Sequence, residues 1–258
     1  MKSILIKSPQ LARQAEAYLT DAEFLIAANF KLHKQSQAFK DLYKSCLAIT
    51  TVLKALDSPS RKPRLKGLTS IALRLPLLVA AGQSSVAKVE LRRFVEISLW
   101  SLYFSDHPIE WQNFEGKRDG GFTTDPHLPI SFAAHRELNS YFEYAAEFLK
   151  PEPSGVSRSA LNLLQNDKRA LNAAVHAGEI AKSAKRIPPL DDFSENRLKR
   201  EAALATRVFR HCIILLAASD KGKFDRLPAT PRAYFDWMVG NDLGRRIRAG
   251  IFGIARTL

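Results

Sequence analysis

The sequence is poor in cysteine and glycine, and no apolar run in it is long enough to span a membrane. Its 258 residues include 12 glycines and two cysteines, Cys46 and Cys212, which lie far apart inside apolar stretches. Their spacing matches neither a zinc site nor a disulfide framework, so we expect two buried, reduced thiols and a reducing cytoplasm. A membrane helix needs about 20 apolar residues, and residues 1–7 are too short for the apolar part of a secretory signal. We therefore expect a soluble, cytoplasmic protein with no membrane partner.

Motifs that mark several common enzyme classes are also missing. The sequence contains no Walker phosphate-binding loop, no Rossmann glycine fingerprint, no Gly-x-Ser-x-Gly turn and no Cys/His set at zinc-binding spacing. Nothing in it therefore supports nucleotide hydrolysis, redox chemistry or serine hydrolysis. We expect no metal ion and no other cofactor.

Basic residues are what the chain has in excess. Lysine and arginine total 39 against 26 acidic residues, which gives a formal net charge of +13. From Gly178 onward basic residues outnumber acidic ones by roughly two to one. Such a surface suits a polyanion, most simply RNA or DNA. An acidic partner protein, a membrane surface and a role in solubility alone are the open alternatives.

Apolar residues recur at helical spacing along most of the chain, and no alternating strand pattern is longer than a few residues. The pattern predicts an all-α, multi-helix bundle. The predicted helices cover about residues 9–30, 35–56, 68–81, 84–105, 131–150, 156–165, 167–177, 194–219 and 230–250. We expect residues 1–60 to form an N-terminal helical hairpin packed on a helical domain of residues 64–258, unless residues 1–258 form one continuous domain.

Local signals refine this outline. Asn166 is placed to cap the helix that begins at residue 167, and Gly178 is placed to end it. The glycine- and proline-rich stretch 109–129 is expected to be a long loop, which in a compact domain is usually functional or disordered. In the second predicted helix, six residues are expected to face the core: Phe39, Leu42, Tyr43, Cys46, Leu47 and Ile49.

The run from Asp167 to Gly178 contains the strongest functional signal. In a helix, the spacing of Arg169, Asn172 and His176 places the three side chains on one stripe two turns long. Arginine is a permanent cation, asparagine can position a ligand, and histidine titrates near neutral pH, so together they can hold a phosphodiester. The competing interpretation is that Arg169 and His176 are ordinary surface residues and that Asn172 packs or caps locally.

The segment Leu171-Asn-Ala-Ala-Val-His-Ala-Gly178, preceded by Arg169, resembles the signature helix of the HEPN superfamily (higher eukaryotes and prokaryotes nucleotide-binding). Active members carry an arginine and a histidine with four to six residues between them, and one of these is often polar. Arg169 and His176 match the two ends of that motif, and Asn172 matches the intervening polar residue. Ala170 stands where the commonest version has Asn, Asp or His.

The resemblance implies a HEPN-like, all-α protein that acts on RNA. Its expected activity is that of a metal-independent endoribonuclease in a bacterial toxin or anti-phage defence system. His176 would be the general base or acid, Arg169 would stabilise charge on the phosphate, and Asn172 would orient the phosphate or the imidazole. A homodimer would supply the second proton carrier, and an antitoxin or defence-complex partner is implied. The alternative is a non-catalytic nucleic-acid-binding or protein-interaction subunit of a defence complex.

Further basic residues are candidates for contacting nucleic acid. They are Arg92, Arg93 and His107 on the fourth predicted helix, Lys182, Lys185 and Arg186 after the helix that carries Arg169, and Arg245, Arg246 and Arg248 near the end of the chain. The competing interpretation is an ion pair of Glu96 with either arginine, a C-terminal cap at His107 and solvated charge elsewhere. His211 is expected to be a core or boundary histidine. Trp100, Tyr103 and Trp111 either stack on bases or belong to the core.

Overall fold

The computed structural model of the chain describes residues 9–56, 62–107, 138–149, 155–175 and 194–240. Within these ranges the structure contains nine α-helices and no strand, which confirms the predicted all-α bundle. The helices are α1 (Pro9–His33), α2 (Gln37–Ala55), α3 (Lys62–Ala80), α4 (Ser84–Asp106), α5 (Leu138–Phe148), α6 (Val156–Val175), α7 (Glu195–Ser219), α8 (Lys221–Asp225) and α9 (Ala229–Val239).

Polar side chains cap several of the described helices at their starts. The hydroxyl of Ser36 accepts a hydrogen bond from the backbone N–H of Phe39 at 3.3 Å, and α2 begins at the next residue. The hydroxyl of Ser194 accepts from the backbone N–H of Arg197 at 3.4 Å at the start of α7. Each cap satisfies a backbone donor that has no partner inside its helix.

The long helix α7 lies at the centre of the bundle, in contact with α2, α4, α6 and α9. Phe209 of α7 and Phe94 of α4 are both fully buried and meet edge to face, with ring centroids 4.8 Å apart. The buried residues of α2 belong to the same hydrophobic core, while α1 lies against α3. The division into residues 1–60 and 64–258 stays a prediction.

Both cysteines are buried and unpaired, which confirms that part of the sequence prediction. Burial raises the pKa of the Cys46 thiol well above its usual range. Burial also raises the pKa of Cys212 to about 12, partly offset by a hydrogen bond with Ser98. Both side chains are therefore neutral thiols at physiological pH.

By length and composition, α7 is the one helix among the described residues that could cross a membrane, with a mean hydropathy of 1.4 over 18 residues. Within the bundle, 67% of that window is buried. Its apolar side chains, from Val208 to Ala217, are part of the hydrophobic core. The cytoplasmic location stays a prediction.

Three predicted helix boundaries are wrong. Residues 156–165 and 167–177 do not form two helices, because α6 runs without a break from Val156 to Val175 and Asn166 lies inside it. The helix α3 begins at Lys62, six residues earlier than predicted, with a proline in its first turn, where proline is tolerated. The last described helix ends at Val239 rather than near residue 250, because Gly240 follows it with φ of 82°.

The predicted inward orientation of Tyr43 and Leu47 is also wrong. Leu42, Cys46 and Ile49 are at most 1% exposed, as expected, but Tyr43 is 55% exposed and Leu47 is 38% exposed. The described helices α3, α7 and α9 pack against α2, and its buried residues share one broad side of the helix. Tyr43 and Leu47 lie one turn apart on the opposite side.

Candidate functional site

The helix α6 carries two of the three predicted catalytic residues near its C-terminal end. Arg169 is exposed, and Asn172, one turn further along, is half-buried. The side-chain oxygen of Asn172 is buried and has no hydrogen-bond partner among the described residues. His176 lies outside the described residues, so its convergence with Arg169 stays a prediction.

The neighbouring carboxylate of Asp167 joins α6 to α7. Its Oδ1 accepts hydrogen bonds from Nε of Arg207 at 3.3 Å and from Nη2 of the same guanidinium at 3.0 Å. Its Oδ2 lies 3.7 Å from Nδ1 of His211. The Asp167 side chain is only 12% exposed, whereas the Arg207 side chain is 49% exposed, so the carboxylate is shielded and the guanidinium reaches solvent. The contact between Asp167 and Arg207 could not be predicted from the sequence, because 40 residues separate them and no local pattern links them.

His211 is buried, as the sequence predicts. Burial lowers the pKa of its imidazole, Asp167 opposes that shift, and Arg210 and Arg207 add to it. The ring is therefore neutral at pH 7. Because only 8% of its side chain is exposed, His211 forms part of the bundle and is not positioned to meet a substrate.

We predict that the His211 imidazole makes the fold sensitive to acid. The pKa of His211 is lower in the folded protein than the ordinary value of 6.5, so the unfolded chain binds the proton more readily. Its contribution to stability is present above about pH 6.5 and is lost as the pH falls below it. Urea unfolding at about pH 7.5 and about pH 5.5 measures the loss. His211→Gln should show a smaller loss than the wild type, and equal losses would contradict the prediction.

A second charged cluster lies where α4, α5 and α6 meet. Nε of Arg92 donates to Oε1 of Glu96 at 3.0 Å, and Nη1 of Arg92 is buried without a hydrogen-bond partner among the described residues. Burial and the charge of Arg92 lower the pKa of Lys168, whose Nζ lies 5.5 Å from the ring centroid of Phe142. The positive charges of Arg92 on α4 and Lys168 on α6 thus lie close enough to affect each other.

Of the two pairings open to Glu96, the structure contains the one with Arg92. Arg93 instead donates to Glu90 at 3.3 Å, and Glu90 also accepts from Arg74 at 3.3 Å. The partly buried ion pair that the competing interpretation predicts is therefore present. A contact of Arg92 or Arg93 with nucleic acid stays a prediction.

His107 is the C-terminal cap residue of α4, as the competing interpretation predicts. Its Nδ1–H donates to the carbonyl oxygen of Tyr103 at 2.9 Å, and its ring stacks on Tyr103 with centroids 4.1 Å apart. Tyr103 is buried, and Trp100 packs against the core, so both belong to the interior rather than to a base-stacking surface. A role for His107 in proton transfer or RNA binding stays a prediction.

The remaining predicted contact residues lie outside the described ranges. They are Lys182, Lys185, Arg186, Arg245, Arg246 and Arg248, together with Trp111 and the predicted loop 109–129. Within the described ranges, no group of three or more His, Cys, Asp or Glu side chains is arranged to hold a metal ion.

No model of a known protein family matches this chain, and no curated protein or solved structure is significantly similar to it. The resemblance to the HEPN superfamily therefore rests on the segment from Arg169 to Gly178.

Proposed function

We propose that this protein is an RNA-targeting effector that cleaves RNA without a metal ion, in a bacterial toxin or anti-phage defence system. The observation that supports the proposal best is the environment of Arg169 and Asn172 on α6. The arginine is exposed, and the asparagine beside it has a buried side-chain oxygen without a hydrogen-bond partner among the described residues. A polar group held without a partner is costly, so its retention favours a role in binding.

In the proposed mechanism, His176 removes the proton from a ribose 2′-hydroxyl or protonates the leaving oxygen. Arg169 stabilises the negative charge that develops on the phosphate. Asn172 orients the phosphate or the imidazole. The net charge of +13 attracts the RNA to the protein before these contacts form.

A symmetric homodimer completes the proposed site. Each copy of the chain supplies one histidine, His176, to the proposed site, whereas the acid and base roles need two proton carriers. A second copy of the chain brings the second His176 to the same phosphate. An antitoxin or another defence-complex subunit would control this activity in the cytoplasm.

One observation favours a second candidate function, that of a non-catalytic subunit that binds nucleic acid or a partner protein. The three histidines within the described residues all make contacts that support the fold. His33 and His211 are buried, and His107 is hydrogen-bonded to the backbone of Tyr103. If His176 also packs into the bundle, none of these four histidines is available as a proton carrier, and the protein binds without cleaving.

Incubation of RNA with the protein and a metal chelator decides between the two functions. Cleavage by the wild type, and not by His176→Ala, supports the proposal. Equal cleavage by both proteins indicates a contaminating nuclease and overturns it. Binding of intact RNA without cleavage overturns the catalytic proposal in favour of the second function.

A further inference from the structure

The side of α2 that the bundle leaves uncovered combines aromatic and basic side chains with Trp237 of α9. We call this surface the α2–α9 face, and it consists of Lys40, Tyr43, Lys44, Leu47, Lys54 and Trp237. All six side chains are exposed. Two of them are large aromatic groups, Tyr43 at 55% and Trp237 at 39% exposure.

Helix geometry places these residues on one continuous stripe. At about 100° per residue, Lys40, Tyr43, Leu47 and Lys54 fall within a sector about 60° wide, and the stripe is about 21 Å long. Lys44 lies at the edge that faces α9, with its Nζ 4.3 Å from the ring centroid of Trp237. Lys44 thus lies beside Trp237, Lys40 lies about one turn from Tyr43, and Lys54 lies at the other end of the stripe.

The nearest carboxylate on α2 does not neutralise this stripe. Asp41 is turned about 130° from the centre of the sector. Its Oδ1 accepts a hydrogen bond from Nε2 of Gln37 at 2.9 Å. Asp41 therefore does not offset the positive charge of the lysines on the stripe, and that charge suits a polyanion.

We propose that the α2–α9 face binds a single strand of RNA, with bases stacked on Tyr43 and Trp237 and phosphates held by Lys40, Lys44 and Lys54. This inference rests on the proposal that the protein acts on RNA, and it adds a binding surface separate from the cleavage site on α6. Unpaired bases stack on exposed aromatic rings whatever their sequence, and lysines follow the backbone between them. The Lys44 contact with Trp237 is weak enough at an exposed site for stacking to replace it.

The composition of the face favours RNA over a protein partner. A stable protein interface buries about 800 Å² on each side and has an apolar centre. Here Leu47 is the one exposed aliphatic residue of the face, and it is flanked by lysines. Lysine is depleted in protein interfaces, whereas lysine and aromatic residues together are typical of single-strand binding.

Fluorescence anisotropy with a labelled single-stranded RNA of about 20 nucleotides tests this surface. The measurement uses the full chain with His176→Ala, so that cleavage does not remove the probe. Adding Tyr43→Ala should weaken binding about 5- to 150-fold, because one stacked base is lost. Tyr43→Phe should keep the affinity, and Lys40→Ala should lower the slope of log affinity against log salt by about 0.7.

Phe24→Ala is the matched control. Phe24 is 76% exposed on α1, beside the exposed acidic residues Asp21 and Glu23, so its removal should leave RNA affinity unchanged. Unfolding measurements on each variant confirm that the fold is kept, as expected for exposed positions.

Each outcome separates this inference from the proposed function. Unchanged affinity in Tyr43→Ala overturns the inference, as does equal binding of duplex RNA, whose paired bases cannot stack on the rings. Displacement of the RNA by an acidic polypeptide at equal charge concentration overturns it in favour of a protein partner. Loss of binding in Tyr43→Ala, together with absence of cleavage by the wild type, supports the inference and removes only the catalytic proposal.

Discussion

Replacing His176 with alanine is expected to slow RNA cleavage by a factor of about 10² to 10⁴, which is the usual contribution of a general acid or base. In the proposed mechanism no other described histidine can take its place. His211 is buried beside Asp167, and His107 donates its Nδ1 proton to a backbone carbonyl. Single-turnover cleavage of a labelled RNA, with a chelator present, measures the effect.

Two arginine variants of α6 serve as the matched pair for this experiment. Arg169→Ala should slow cleavage about 10²- to 10³-fold, because one positioned donor to the developing negative charge is lost. Arg158 is an exposed arginine in the first turn of the same helix, and Arg158→Ala should cleave like the wild type. Similar rates for the two variants would exclude a catalytic role for Arg169.

Replacing Phe209 with alanine is expected to lower the free energy of unfolding by about 3–5 kcal/mol, as for other buried phenylalanines. The ring is fully buried on α7 and meets Phe94 of α4 at 4.8 Å between centroids. Its removal leaves a cavity at the contact between the two described helices that contribute the most residues to the core. Rigid helices on both sides limit how far the cavity can collapse.

Chemical denaturation measures this loss, with Phe24→Ala as the comparison. Phe24 is 76% exposed, so its replacement should change stability by no more than about 0.5 kcal/mol. A loss below about 1 kcal/mol in Phe209→Ala would mean that the α4–α7 contact is not the centre of the core. Phe94→Ala should lower the free energy of unfolding by a similar amount. The loss in the double variant should differ from the sum of the two single losses, because the two rings are in contact.

The signal for a helix start is local where a capping residue and its backbone partner lie three positions apart. Ser36 and Ser194 accept hydrogen bonds from Phe39 and Arg197, so the whole signal is contained in four residues. Asn166 has the same local preference but does not cap a helix. A cap contributes about 1 kcal/mol, whereas burying Leu164 and Leu171 on both sides of Asn166 contributes about 1.5–3 kcal/mol for each residue. Both leucines are fully buried, and the continuous helix is therefore favoured.

Part of the candidate site was predictable for a similar reason. The spacing of Arg169 and Asn172 depends on helix periodicity alone, and both residues lie on α6 as expected. The contact of Asp167 with Arg207 and His211 was not predictable, because it depends on how α6 and α7 pack. The choice of Glu96 between Arg92 and Arg93 also depends on packing, since both spacings fit a helix.

The sequence alone determined that the chain is helical and basic and that its two thiols are buried. These properties follow from composition and from patterns within about one helical turn. Only the tertiary structure decided which side of each amphipathic helix is covered. Tyr43 and Leu47 fit an inward pattern, yet both are exposed, because α3, α7 and α9 pack mainly against the buried residues on the other side of α2. An apolar side chain prefers burial, but whether it is buried depends on a neighbouring helix that is distant in the sequence.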